Sequence, residues 1–378
     1  MGNYKLMATT AMGIEAIAAS EVKDLGYSCK VENGKVLFDG DELAIARSNM
    51  WLRTADRVKI IVGEFRATTF DELFEQTKAL PWEDYLPEDA NFPVQGKSVK
   101  STLFSVSDCQ AIVKKAIVER MKRVYKKSSW LEETGALFKI EVSLLKDKAT
   151  LTIDTSGAGL HRRGYRVGQG EAPIKETLAA ALVKLANWQP STLLHDPFCG
   201  SGTIPIEAGL IGQNIAPGFN REFISESWPL INSKIWEKVR EEAEDVANYD
   251  QELEIIGTDI DHRMVDIAKN NAIEAGFGDM ISFKQMQAKD LTSRHEYGAI
   301  IGNPPYGERI GEKKQVEQLY VDIGKVFQQL DTWSLYILTS HPDFEKLFGK
   351  DATKKRKLFN GFIRTDFYQY WGPRPPRQ

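Results

Sequence analysis

Apolar positions in the first half of the chain switch repeatedly between alternate and helical spacing, which predicts short strands mixed with helices. YKLMATT reads as a strand, and GIEAIAASEVKDLG as a helix with Ile14, Ile17, Ala18 and Val22 on one face and a stop at Gly26. YSCKVENGKVLFDG is two strands joined through Asn33-Gly34. An apolar strand beginning near Asp56 follows, then the helical FDELFEQTKAL, ending at Pro81. After a loop from Leu86 to Gly96, VKSTLFSVS alternates like a strand. CQAIVKKAIVERMKRVYKK is a basic helix, and FKIEVSLLKDKATLTIDTS a hairpin turning at Lys146-Asp147-Lys148. This half reads as α+β.

The second half has another rhythm. STLLHDPF, LEIIGTDID, ISFKQMQ, YGAIIGN and WSLYILTS are short apolar runs separated by helical segments. Such runs suit parallel strands buried on both faces. KLFNGFIRTDFYQYW reads as two strands turning at Asn360-Gly361, so the sheet is expected to end in an antiparallel pair. The expectation is a doubly wound α/β domain with its ligands at the carboxyl ends of the strands. The joint between the halves falls near GAGLHRRGYR, residues 157–166.

The chain has 378 residues, enough for two or three domains, and 42% of them are hydrophobic and 27% charged. No apolar run is long enough to span a membrane, and the N-terminus lacks a secretory pattern. The cysteines, Cys29, Cys109 and Cys199, are far apart, and no histidines stand at ligand spacing, so neither a disulfide framework nor a metal site is expected. The expected location is cytoplasmic. The net charge is only −4 but unevenly spread. Lys97–Lys127 carries nine basic and two acidic residues, and Lys354–Gln378 seven and one. Two basic regions in an acidic protein suggest a local polyanion site.

Three carboxylates end successive predicted strands of the second half: Asp196, Asp259 and Asp290. After Asp196 comes a glycine turn, in which Gly200 and Gly202 permit a tight bend and close ligand approach and Thr203 or Ser201 can cap the next helix. Asp259 is placed to take the hydroxyls of a ribose, with Ile260 against the base and Asp261 capping a helix, and Asp290 to accept from an adenine amine. No phosphate-binding lysine belongs to this set. A carboxylate-rimmed site without one favours a cationic adenosine ligand, S-adenosylmethionine.

GNPPYG, residues 302–307, follows a buried strand. Asn303 offers a carbonyl acceptor, and Pro304 keeps its own. The two prolines fix φ, and Tyr306 offers a flat face. Asn303, Pro304, Pro305 and Tyr306 thus form a clamp for a planar –NH₂ on a π-system. Two fixed acceptors pull its nitrogen toward tetrahedral geometry and meet the positive charge that develops on methylation.

DPFCGSGT, GTDID and GNPPYG, in that order, resemble class I S-adenosylmethionine-dependent amino-methyltransferases. GLHRRGYR and APIKETLAAAL resemble THUMP-domain RNA methyltransferases, closest to the bacterial 23S rRNA guanine-N2 enzymes with a single methyltransferase domain. The resemblance implies a ferredoxin-like unit over 1–60, a THUMP domain over 61–156 and a Rossmann-like methyltransferase domain over 157–378. It implies that Asp196, Gly200 and Gly202 line the methionine end of the cofactor, that Asp259 holds the ribose and Asp290 lies near the adenine, that Pro197, Cys199, Thr203, Ile260 and Asn303 also belong to the cofactor site, and that Asn303 to Tyr306 clamp the guanine amine. Its product would be S-adenosylhomocysteine. APIKETLAAALVKLANW reads as a helix with Pro173 in its first turn and Ile174, Leu178, Ala181, Leu182 and Leu185 buried. In the family this helix borders the cofactor pocket.

The RNA partner, 23S rRNA or tRNA, is expected on Lys114, Lys115, Lys122, Arg123, Lys126 and Lys127 of the basic helix, and on Arg162, Arg163 and Arg166 of the joint. Those three arginines would serve equally as an interdomain salt-bridge set. Rival readings are a tRNA guanine-N2 enzyme, a DNA adenine-N6 or protein glutamine methyltransferase, since NPPY serves those too, and a non-catalytic RNA-binding assembly factor. No obligatory protein partner is evident.

Overall fold

A computed structural model describes residues 2–129, 131–170, 173–307 and 312–374. In chain order its elements up to residue 160 are β1 (Tyr4–Thr10), α1 (Glu15–Asp24), β2 (Cys29–Glu32), β3 (Lys35–Gly40), α2 (Glu42–Trp51), β4 (Ala55–Arg66), α3 (Phe70–Ala79), β5 (Val94–Val99), α4 (Val106–Val124), β6 (Lys139–Leu145) and β7 (Lys148–Asp154). Beyond it come α5 (Glu176–Leu185), β8 (Leu194–Asp196), α6 (Thr203–Gly212), α7 (Ser233–Asp245), β9 (Ile255–Asp259), α8 (His262–Glu274), β10 (Ile281–Gln285), β11 (Ala299–Gly302), α9 (Lys313–Phe327), β12 (Ser334–Thr339), α10 (Phe344–Phe348), β13 (Lys354–Asn360) and β14 (Ile363–Tyr370). Two compact units result. One holds the chain up to Thr9, Ala19–Leu160 and Glu222–Glu242, and the other Thr10–Ala18, His161–Arg221 and the chain from Ala243.

The first unit is built on one sheet of order β2-β3-β1-β4-β7-β6-β5. Its β1-α1-β2-β3-α2-β4 part, with strand order 4-1-3-2, is a ferredoxin-like split βαβ. Asn33-Gly34 is the two-residue loop it was read to be, since Glu32 pairs with Lys35. Lys146 and Asp147 both take positive φ, the requirement of a type I′ hairpin. Three local readings are corrected. The strand expected over 99–107 lies earlier, at β5, because Val106 and Ser107 already belong to α4 behind Ser105. Helix α2 was not foreseen; Asp41 caps it, accepting from Ala44 N at 3.0 Å. The segment Glu222–Glu242 joins this unit rather than the methyltransferase half, and Trp228 stacks on Phe138 with ring centroids 4.5 Å apart.

The second unit carries a sheet of order β10-β9-β8-β11-β12-β14-β13. Strands β8 to β12 are parallel, and β14 runs antiparallel to both β12 and β13. From β8 the chain builds outward to β10, then crosses back to place β11 on the other side of β8. That reversal opens a crevice at the carboxyl ends of β8 and β11. The residues of β8 and β11 are all buried, as strands covered on both faces must be.

The terminal hairpin turns one residue later than expected. Asn360 pairs with Ile363, so Gly361 and Phe362 form the loop. Gly361 at φ +63° supplies the positive φ that the first central residue of a type II′ turn needs. α5 also starts later, at Glu176, which leaves Pro173 outside the helix; Lys175 is its N-cap. Its burial is all round from Glu176 to Val183 rather than one-faced. Among the described residues no helix is long and apolar enough to cross a membrane.

Candidate active site

A cleft of about 480 Å³ opens where β8, β9 and β11 end. Pro197, Phe198, Asp259, Ile260, Asn303, Pro304, Pro305 and Tyr306 are among the residues lining it. Of the residues predicted for the cofactor, Pro197, Asp259 and Ile260 thus share one cavity with the amine corner, whereas Asp196, Cys199, Gly200, Gly202 and Thr203 do not line it.

The glycine turn after β8 is held from several sides. Gly200 takes φ +51° and donates its N–H to Asp259 Oδ2 at 3.0 Å, and a Cβ there would meet nothing within 4 Å. It is thus the open, backbone-bare side of the turn. Gly202 serves packing instead: at φ +83° its missing Cβ leaves room for Ala268 and Phe283, each 3.1 Å from where it would stand. Gly202 is itself the N-cap of α6, so neither Ser201 nor Thr203 caps that helix as expected. Both hydroxyls accept from Arg166 at 3.0 Å, and Arg166 also donates to Glu176 at 2.7 Å and to the Ile174 carbonyl at 3.1 Å. Asn271 adds bonds to Ser201 O at 2.9 Å and to the backbone of Val167 and Gly168.

Asp259 accepts two backbone N–H groups, Gly200 on one oxygen and Asp261 on the other at 3.0 Å. A carboxylate has further lone pairs, so acceptor capacity remains toward the cleft. Asp261 caps α8 as expected, through Arg263 N at 2.9 Å. Bonds from Arg263 hold its carboxyl down at about 2. Asp196 is buried, with Phe198 N donating to it at 3.0 Å. Burial, with the nearby Asp259 charge, pushes its carboxyl well above the ordinary range. His195 lies beneath, 3.0 Å from Thr258 Oγ1; burial and Lys284 lower it to about 4, which keeps it neutral near pH 7. Cys199 is buried and donates its N–H to the Thr258 carbonyl at 3.0 Å.

Asp290 ends a 3₁₀ turn, exposed; its neighbours Gln287, Ala288 and Lys289 line the cleft and it does not. Lys289 corrects the expectation of a rim of carboxylates alone, although Asp259 and Glu312 still outnumber it there.

At the end of β11 the Asn-Pro-Pro-Tyr corner is tied internally. Tyr306 Oη donates to Asn303 Oδ1 at 2.6 Å and accepts from Asn360 Nδ2 at 3.3 Å. Tyr320 of α9, 2.8 Å from Thr339 Oγ1, donates to the Pro305 carbonyl at 2.6 Å. The Asn303 carbonyl is thus aimed by a side chain, and the turn is pinned from beneath. Tyr320 and Thr339 were not singled out in the sequence, and Asn360 only as a turn residue. Thr339 offered a signal as the last residue of an apolar strand; Tyr320 and Asn360 offered none.

The arginines of the joint are largely structural. Arg163 is buried and paired with Glu207 at 3.3 Å, where Tyr165 Oη also donates at 3.0 Å. Arg166 is spent on the glycine turn. Expecting RNA on these two is therefore corrected, and so is the interdomain alternative, since both arginines pair with acids of their own unit. Arg162 is exposed. On α4 and just past it, Lys115, Arg123 and Lys126 are exposed and Lys122 half-buried. Lys114 is engaged by Glu133 at 2.7 Å and by the Phe92 carbonyl, and Lys127 by Glu88.

Three family models match the chain: a ferredoxin-like domain of RlmL type over residues 5–59, a THUMP domain over 67–154 and an RMKL-like methyltransferase domain over 163–369. The chain is 65% identical over 380 residues to a Bacillus subtilis protein named "Putative RNA methyltransferase YpsC", covering 100% of this chain and 99% of that one. It is also 65% identical, with a TM-score of 0.94, to a Listeria monocytogenes structure described as a predicted N6-adenine-specific DNA methylase, over 99% of this chain and 97% of that one. A third relative, SMU.472, a putative methyltransferase solved with S-adenosylhomocysteine, is 50% identical with a TM-score of 0.96 over the full length of both chains.

Proposed function

The chain belongs to the THUMP-containing, RMKL-like RNA methyltransferases, and from that premise we propose that it methylates the exocyclic N2 of a guanine in RNA, most simply 23S rRNA, in the cytoplasm. The observation carrying this reading is the shared cleft: Asn303, Pro304 and Tyr306 line the same cavity as Asp259 and Ile260.

The cofactor fits the residues present. Asp259 keeps acceptor capacity for ribose hydroxyls, exposed Ile260 offers an aliphatic face to adenine, and the backbone at Gly200 lies open. Asp290 stands one residue past the cleft wall, within reach of a role at the adenine amine. Relative SMU.472 was solved with the demethylated product, which supports the same assignment here. S-adenosylmethionine supplies an electrophilic methyl carbon on a sulfonium.

The chain's own residues prepare the nitrogen. Asn303 Oδ1 and the Pro304 carbonyl accept the two amine hydrogens, and Tyr306 stacks on the ring. A carbonyl oxygen has two lone pairs, so Asn303 can hold Tyr306 and the amine together. The lone pair, otherwise delocalised into the purine, is turned out of plane. Charge developing on nitrogen meets dipoles already in place. Alignment of the reacting atoms contributes the rest. No base is needed in the transfer step, because the ammonium formed is acidic and loses its proton afterwards.

RNA is favoured over DNA by the THUMP domain, while the exposed cations of α4 suit the backbone phosphates of a nucleic acid. The guanine assignment is supported by the resemblance of GLHRRGYR and IKETLAAAL to the rRNA enzymes. A paired guanine hides its amine, so the target is unpaired or extruded. The test uses labelled S-adenosylmethionine with separate pools of unmodified 23S rRNA, tRNA, DNA and protein, followed by nucleoside analysis. N2-methylguanosine from RNA is expected; N6-methyladenosine or labelled protein would overturn the assignment.

A further inference from the structure

KKRKLFNGFIR, residues 354–364, carries five cations, two phenylalanines and no acid. It forms β13, the turn and the start of β14, with β13 at the edge of the sheet. Two of the cations are committed: Arg356 donates to the Gly13 carbonyl at 3.1 Å and Lys355 to Glu345 at 2.6 Å. Lys354, Lys357 and Arg364 are exposed, and Lys357 stands 5.4 Å from the centroid of the Phe359 ring.

Phe362 occupies the second central position of the type II′ turn and is fully exposed. Small polar residues serve such a position at least as well, so Phe362 is not there for the turn. A lone exposed apolar side chain is ordinary on a protein surface. Its setting is not. The residues on either side of the loop, Asn360 and Ile363, both line the catalytic cleft. Asn360 also hydrogen-bonds Tyr306 of the amine clamp. The hairpin tip therefore stands on the rim of the cavity that must receive an extruded base.

We propose that this hairpin grips the RNA strand beside the target, with Phe362 stacking on the base adjacent to the extruded guanine and Lys357 and Arg364, which share one face of the hairpin, meeting the flanking phosphates. An exposed ring flanked by cations matches a strand that offers π-faces and negative charge in alternation. Extrusion leaves a neighbouring base unstacked, and an aromatic on the rim replaces the lost partner. This rests on the reading of the chain as an RNA methyltransferase.

The experiment compares wild type with Phe362→Ala, Phe362→Leu and Phe362→Trp in the full-length protein. The probes are in vitro transcribed, unmodified 23S rRNA and tRNA, with labelled S-adenosylmethionine. Phe362→Ala is expected to lower kcat/KM for RNA by roughly 5- to 150-fold, mainly through KM. Phe362→Trp restores it, Phe362→Leu does not, and cofactor affinity is the same in all four. Full activity in Phe362→Ala, or rescue by leucine as good as by tryptophan, overturns the stacking role alone. A wild type that labels neither RNA overturns the functional reading and this role with it.

Discussion

Replacing Tyr306 by phenylalanine keeps the ring and deletes a hydroxyl that donates to Asn303 Oδ1 over 2.6 Å and accepts from Asn360 Nδ2 over 3.3 Å. The first bond is short; the second lies beyond the usual range for N–H···O. The first is therefore the one that counts, and its net worth of about 0.5–1.5 kcal/mol corresponds to roughly a 2- to 12-fold loss in kcat/KM. Asn303→Ala deletes the oriented carbonyl itself. Groups of that kind contribute about 2.7–4 kcal/mol to the transition state, so a loss of roughly 100- to 1000-fold in kcat is expected. Because the hydroxyl works by aiming the carbonyl, the two losses do not add. On the Asn303→Ala background, Tyr306→Phe should change nothing measurable. Single-turnover transfer of labelled methyl to RNA, with cofactor saturating, completes the cycle. An equal penalty from Tyr306→Phe in both backgrounds would show that the hydroxyl touches substrate independently, and the account of the clamp would be wrong.

Asp196→Asn tests the buried carboxyl. Since the folded pKa is raised, wild type loses stability as pH climbs from the ordinary carboxylate value through the raised one. The variant lacks that slope, so urea midpoints of the two proteins should diverge in its favour as pH rises above the ordinary carboxylate value; parallel pH profiles would contradict this. Arg163→Ala leaves Glu207 buried and uncompensated, an expected cost of about 3–5 kcal/mol, whereas Arg163→Met with Glu207→Leu should be near neutral. Chemical denaturation measures both, and an RNA affinity unchanged at low temperature would separate structure from binding. Charge removal at Lys115, Lys122, Arg123 or Lys126 should each flatten the slope of log affinity against log salt by about 0.7–0.9. The same change at Lys114 or Lys127 should do less, as both are held by acids.

Periodicity revealed most strands because their burial is decided locally: β11 is apolar throughout, β8 continues the apolar Leu193-Leu194 pair, and β6 and β7 alternate. The carboxylates and the Asn-Pro-Pro-Tyr corner were visible because strand ends in a doubly wound sheet converge by topology. Long-range partners were not visible. Nothing near Arg166 announces Ser201 and Thr203, and nothing near Asn360 announces Tyr306, because each pair meets only through tertiary folding. Arginines in sequence look alike whether they face phosphate or, like Arg163, a buried glutamate. Helix α2 was passed over because its buried residues include Ser48 and Asn49, which blur the apolar stripe; Asn49 Nδ2 is satisfied by Thr155 at 2.8 Å.

The boundary expected at residue 60 falls inside β4, which neighbours β1 on one side and β7 on the other. No cut there yields two intact modules. Severing this strand would strip a shared wall from both, leaving raw edges that invite aggregation. The ferredoxin-like and THUMP segments are thus better regarded as one cooperative block, to be melted, grafted or inherited whole.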